Sequence, residues 1–498
     1  MNTSARRAQR RELLRLGMAA AAAIPLAGCG GGGGSNGLSS LSAGATSPAP
    51  APAPAPAPTS VSAAPSGTTL TFTLPTGSLY APADIHLLVV GQNPQDRSQF
   101  GFVDLASGTF VATGPTGSFV VDPARMTCTM ASLTQSGSTY SAVLPAVASG
   151  RVYFSFGAGF GAMPSFGAGG PVAGAGNPVM FDKFELDTTD NPNVNATCVY
   201  FYGVSFSISA TDRNTGERRS VGFTTPRSTI LSDFQAIPAS PSGQASGNNA
   251  IFNATAITGA QGQILRILAP KSAGLTDWKG AGLPEQVAIA ELCSHFWDDY
   301  VNTQCWRPNR TFSCYSKLMD GKVYYGKVSA DGTSLNLYTD AQFTQPYAGA
   351  PSLPRPSNAP GVPSFTPVPN QPSLYHNADS AQGPIDWGFL LGGNVKGAGL
   401  GAYWGTDPVA MAIMVSICRG VMHLDDGTTA WTDSARHYQG DGSGTGTATM
   451  PIYHYAKLLH QTSLGQRTYA LSYDDVYSAD PTIYFGGFPR IDIVFAPF

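Results

Sequence analysis

Glu185 stands in the run Phe-Asp-Lys-Phe-Glu-Leu-Asp at 181–187. A two-residue period groups it with Lys183 and Asp187, opposite Phe184 and Leu186, so one face of this strand is polar, as a cleft wall would be. A second acidic pair, Asp474 and Asp475, follows Tyr473 in the run Tyr-Ala-Leu-Ser-Tyr-Asp-Asp-Val at 469–476. Carboxylates among aromatic rings suit a carbohydrate, because rings stack on sugar faces and carboxylates accept hydrogen bonds from hydroxyls. The bland alternatives are a solvated strand residue for Glu185 and a turn or helix cap for Asp474 and Asp475.

Other chemistries find no such residues. The seven histidines lack metalloprotease spacing, His454 and His460 being six apart, so no metal is expected. The glycine-rich stretch 156–176 has neither Gly-Lys-Ser/Thr nor a βαβ setting, which leaves a surface loop in place of a nucleotide cradle. No Gly-x-Ser-x-Gly elbow lies between a strand and a helix. With 28 Lys+Arg against 31 Asp+Glu, a net charge of -3 and no basic stripe, nucleic acid is not an expected partner. No cofactor is implied.

The elements that must position these residues are mostly strands. Period-2 alternation predicts strands over 69–74, 150–156 and 179–186, and a long one over 199–208; a turn-rich loop, 187–197, joins the last two. Strand signals return at 321–328, 469–473 and 491–495. Helices are predicted over about 285–301, 408–421 and 451–460, the second opened by Thr406 and Asp407 as cap and first turn. Strands do not alternate with helices, which excludes a doubly wound sheet or an eightfold barrel. Gly 58, Pro 39 and only 12% charged residues also describe a loop-rich β protein.

The first 29 residues read as an address. Arg6, Arg7, Arg10, Arg11 and Arg15 precede the apolar stretch 16–26, and the Arg10-Arg11 pair resembles a twin-arginine export signal. Leu-Ala-Gly-Cys at 26–29 resembles a lipobox whose Cys29 would carry lipid. Each buried CH2 of an acyl chain contributes about 0.8 kcal/mol, so several chains anchor stably. Residues 30–66, rich in Gly, Pro and Ala, build no core and extend as a polyproline II tether. An exported lipoprotein is therefore expected, and Gly30 after Cys29, where inner-membrane retention favours Asp, points to the outer membrane or cell surface. In an oxidising compartment Cys128, Cys198, Cys293, Cys305, Cys314 and Cys418 can form three disulfides, with Cys305 and Cys314 the nearest pair, or stay in part as buried thiols.

Several segments, in chain order, resemble glycoside hydrolase family 64, the β-1,3-glucanases with a thaumatin-like fold. They are 150–155 (Gly-Arg-Val-Tyr-Phe-Ser), 181–185 (Phe-Asp-Lys-Phe-Glu), 195–203 (Asn-Ala-Thr-Cys-Val-Tyr-Phe-Tyr-Gly) and 264–270 (Ile-Leu-Arg-Ile-Leu-Ala-Pro). His295, Phe296 and Trp297 match, as does 455–460 running on to 469–476. The resemblance spans about 67–498 and implies a mainly β protein with an α/β lobe. A thaumatin-like β-sandwich or barrel domain would occupy 67–270 and a mixed α/β domain 271–450. The segment 451–498 would return to the β domain, and a wide cleft would lie between the two. It implies a monomer whose partner is β-1,3-glucan and which needs no cofactor.

The family's chemistry is inverting hydrolysis. One carboxylic acid protonates the leaving oxygen, and a carboxylate ~6.5–9.5 Å away activates water. By resemblance Glu185 falls on the acid, and Asp187, Asp190, Thr197, Tyr473, Asp474 and Asp475 fall among substrate-binding positions. The base is an Asp in a Val-Asp-Phe-like context, and here that context reads Val199-Tyr200-Phe201. A phenol with a pKa near ~10 is a poor base at neutral pH, and losing a general base costs ~10²–10⁴-fold. Asp187 or Asp190 could supply the base, Tyr200 could act as a nucleophile, or the site could bind glucan without cutting it.

Overall fold

The computed structural model of the 498-residue chain describes residues 60–61, 67–115, 122–160, 178–236, 255–269, 307–316, 322–347, 352–354, 416, 419, 421, 436–438, 454–471, 474 and 481–498. Its elements are mostly strands, in four sheets. The first sheet runs β1 (Ser60–Val61), β5 (Thr109–Pro115), β4 (Gln99–Asp104), β3 (Ile85–Gln92), β9 (Ala148–Phe156), β10 (Met180–Asp187), β11 (Asn193–Asn195) and β21 (Ile483–Tyr484), with β6 (Thr127–Thr129) paired on β3. The second runs β14 (Arg218–Gly222), β13 (Phe206–Thr211), β22 (Arg490–Phe495), β2 (Thr68–Thr73), β8 (Thr139–Leu144) and β7 (Thr134–Ser136). The third is β12 (Phe201–Tyr202), β16 (Ile264–Leu268) and β15 (Ala256–Thr258); the fourth is β17 (Thr311–Ser316), β18 (Lys322–Val328), β19 (Ser334–Tyr338) and β20 (Ser352–Pro354). The described helices are α1 (Pro123–Met126), α2 (Arg227–Gln235) and α3 (His454–Thr462), with short 3-10 turns. Among the described residues, no helix is long and apolar enough to cross a membrane.

The core lies between the first two sheets. Alternating aromatic residues of β9 face inward, and Phe154 meets Phe206 of β13 at 4.9 Å and Phe495 of β22 at 5.0 Å between ring centroids, both edge to face. Phe156 meets Phe495 in the same way at 5.3 Å. Such tilted aromatic pairs are favoured by the ring quadrupole and add to the area that each ring buries.

Four expectations change. The single strand expected over 199–208 is two, β12 and β13, because the backbone breaks at Gly203. A Cβ at residue 203 would lie 2.1 Å from the Phe181 carbonyl oxygen, so the close approach requires glycine and ends the ladder there. The strand expected over 469–473 is no strand in its described part: Tyr469 makes an isolated parallel bridge to Thr197, and the next residues turn around Asp474. Cys128 and Cys198 are free thiols, so the three-disulfide pattern does not form. Burial pushes the Cys198 thiol well above the usual range. The fourth change concerns the polar face of the 179–186 strand, which is not solvated: Lys183 is 3% and Glu185 6% exposed. The helix expected at 451–460 is α3, at His454–Thr462. That expected at 285–301 lies outside the described residues, as does Cys305, and of 408–421 only Ser416, Arg419 and Val421 are described.

Candidate functional site

The antiparallel register of β9, β10 and β11 lines up Arg151, Glu185 and Asn195 in one row across the first sheet, with Tyr153 and Lys183 in the next. Side chains two apart share a face, so these five belong to one surface. Arg151 Nε lies 3.4 Å and Lys183 Nζ 3.8 Å from Glu185 Oε1. Lys183 Nζ also stands 5.5 Å from the centre of the Tyr200 ring, which brings residue 200 into the same cluster. Glu185 is thus buried among polar groups and not in an apolar core.

Asn195, opposite Glu185 in the register, and Thr197, two residues further on, carry buried oxygens with no hydrogen-bond partner among the described residues, Asn195 Oδ1 and Thr197 Oγ1. Buried polar atoms are nearly always satisfied, so two open oxygens this close in the chain call for partners that the described residues do not supply.

Behind the face, on the opposite side of β10, Asp182 is 1% exposed. Its Oδ2 accepts the Gly203 and Val204 amides, each at 2.8 Å, and its Oδ1 accepts the Lys183 amide at 2.8 Å. Burial nevertheless pushes the Asp182 carboxyl up to about 7, against those hydrogen bonds. A carboxyl raised above its unfolded value near ~3.9 holds a proton, between about pH 4 and pH 7, that the unfolded chain has released. Its contribution to stability is therefore greatest toward pH 4 and falls as the pH rises to 7. Urea titrations should show this as a slope of at most about 1.4 kcal/mol per pH unit in the difference between wild type and Asp182→Asn.

The other sequence-chosen acids are occupied elsewhere. Asp187 Oδ1 accepts the Thr189 amide at 2.8 Å and the Thr189 hydroxyl at 2.5 Å, and Oδ2 accepts the Ser149 amide at 3.1 Å, which ties the ends of β9 and β10 together. Asp190 lies on the surface, 3.4 Å from Arg97. Asp474 is fully buried: Arg419 Nη2 donates to Oδ1 at 2.7 Å, while His460 Nε2 at 3.0 Å and the Leu471 amide at 2.8 Å engage Oδ2. These bonds make Asp474 the anchor of a turn among the described residues. Tyr473 and Asp475 lie outside the described residues. Arg151, Tyr153 and Asn195 were not singled out in the sequence, because only the strand register brings them to Glu185.

This cluster falls inside a match, over residues 68–483, to the family model described as "Beta-1,3-glucanase" of glycoside hydrolase family 64. The chain belongs to that family. Three solved family-64 structures are similar to it. The β-1,3-glucanase domain from Clostridium beijerinckii shares 18% identity over 88% of this chain and 100% of its own, with a TM-score of 0.53. A laminaripentaose-producing β-1,3-glucanase in complex with laminaritetraose shares 18% over 87% of this chain and 99% of its own, with a TM-score of 0.57. The laminaripentaose-producing enzyme from Paenibacillus barengoltzii shares 16% over 87% and 76%, with a TM-score of 0.50. No curated protein matches the chain. Within family 64, this chain combines a carboxylate at Glu185 with a phenol at Tyr200.

Proposed function

We propose that the chain hydrolyses β-1,3-glucan with Glu185 as the acid, as a monomer of thaumatin-like fold anchored to the cell envelope. Family membership supplies the substrate class. The observation that carries the reading is the open buried oxygen of Asn195, Oδ1, opposite the buried carboxylate of Glu185, with that of Thr197, Oγ1, two residues further on. A sugar chain would satisfy both and would exclude water from Glu185. A second reading, glucan binding without cleavage, is favoured by Tyr200 and by the two cations beside Glu185.

Incubation with laminarin and detection of reducing ends tests the choice. Wild type is expected to release sugar, and Tyr200→Asp, which restores a carboxylate at the base position, is expected to raise the rate by about 10²-fold or more. An inactive wild type with an active Tyr200→Asp would establish the binding reading. Anomeric inversion seen by NMR would exclude Tyr200 as a nucleophile, since a covalent intermediate gives retention.

The anchor has its own outcome. Cys29→Ala should leave the protein exported but soluble, because the signal remains while the lipid site is lost. Wild type partitioning into the aqueous phase on detergent extraction, as the variant does, would overturn the lipoprotein reading.

A further inference from the structure

We infer that Asp182 is a positioning residue that fixes where residue 200 stands relative to Glu185. This rests on the reading of Glu185 and Tyr200 as two sides of one site. Glu185 belongs to the nine-stranded sheet, whereas the segment after Tyr200 enters the three-stranded one, and among the described strands no ladder joins those two sheets. The chain leaves the β10 ladder at Asn195, opposite Glu185, and Asp182 recaptures it through the amides of Gly203 and Val204. Tyr200 therefore sits on an arch, residues 196–202, pinned to β10 at both ends.

The second pin is built from both sides. Asp182 reaches from β10 to the arch, and Arg266 reaches back from β16, donating from Nη1 to the Val179 carbonyl at 2.7 Å with its guanidinium 4.6 Å from the centre of the Phe181 ring. Gly203 makes the contact possible, since any Cβ there would strike the Phe181 carbonyl. The other backbone ties of the arch run to other elements: Phe201 and Tyr202 pair with Leu268 and Ile267 of β16, Thr197 bridges Tyr469, the Ala269 amide donates to the Tyr200 carbonyl at 2.8 Å and the Cys198 amide to the Tyr469 carbonyl at 2.7 Å. Asp182 lies three residues before Glu185 and Gly203 three after Tyr200, so displacement at this joint moves the two sides of the site apart. Shifts of about 1 Å in such relations are known to cost 10²-fold in rate.

The test uses the full chain, amide hydrogen exchange and laminaritetraose titration. Asp182→Asn keeps one carbonyl oxygen for the two amides but turns an N–H toward the Lys183 amide. Exchange at Gly203 and Val204 should quicken by about tenfold, with circular dichroism unchanged, and laminaritetraose affinity should fall by about tenfold. Added to Tyr200→Ala, the same substitution should weaken binding by less than about twofold, because both act through the arch. A structural role alone would leave the two losses additive. Gly203→Ala, whose Cβ would strike the Phe181 carbonyl and crowd Asp182 Oδ2 while leaving the Asp182 side chain in place, should reproduce the pattern if Asp182→Asn folds poorly. Unchanged exchange at Gly203 and Val204 in both variants, or additive losses, would overturn the inference. If wild type binds no laminaritetraose, the reading of the site fails, and the exchange rates still decide the joint.

Discussion

Glu185→Gln should lower laminarin cleavage by about 10²–10⁴-fold, the usual contribution of a general acid, while laminaritetraose still binds. The amide keeps the shape and can accept from Arg151, but it has no proton to give. The same change should cost stability. Lys183 is 3% exposed and its Nζ lies 3.8 Å from Glu185 Oε1, so removing the charge takes a neighbouring anion from a buried ammonium. Breaking one side of a buried pair costs about 3–5 kcal/mol, whereas replacing both sides with well-packed neutral groups is often neutral. Glu185→Gln combined with Lys183→Met should therefore recover much of the lost unfolding free energy and none of the activity. Urea midpoints and reducing-end assays on the three proteins separate the two effects. Full activity in Glu185→Gln would remove the acid from the site.

Asp474→Ala should be the most damaging single change to folding, with little effect on sugar binding by the protein that still folds. The substitution leaves the buried Arg419 guanidinium and the His460 ring without their shared partner and frees the Leu471 amide. The loss should be about 3–5 kcal/mol, measured by urea denaturation at pH 7. Burial opposes the charge on Asp474, but His460 and Arg419 outweigh it and hold the carboxyl below the ordinary range. A depressed carboxyl contributes stability above its unfolded value near ~3.9 and loses it as the pH falls through the folded value. The gap between wild type and Asp474→Ala should therefore close below about pH 4. A fall in laminaritetraose affinity with stability intact would return Asp474 to the binding site.

The strands that alternate were legible. β2, β9, β10 and β22 appear within a residue or two of their expected bounds, because one face of each is apolar and the core selects it. The alternation along β10 also sorted Glu185 with Lys183 correctly. It could not say that the polar face would be covered, since burial depends on segments remote in the chain. The break at Gly203 was invisible for the same reason: its cause is the Phe181 carbonyl, 22 residues earlier. Asp474 beside Tyr473 looked like a sugar site because its partners, Arg419 and His460, are 55 and 14 residues away. The acid position came from family resemblance, whereas Asn195 needed the register of β11 on β10, which the turn between them sets.

One strand pair has a consequence for synthesis. β2 lies parallel to β22, and Thr71 bonds Asp492 across a separation of 421 residues. At the usual ~5–20 residues per second, β2 waits roughly 20–80 s after leaving the ribosome before its neighbour exists. β8 can cover one side of β2 early, because it follows closely in the chain. The other side stays an open edge, the kind of template on which nascent chains pair wrongly. β22, inserted between β13 and β2, is thus the piece that closes the second sheet, so a ribosome that stops before β22 releases a sheet in two halves.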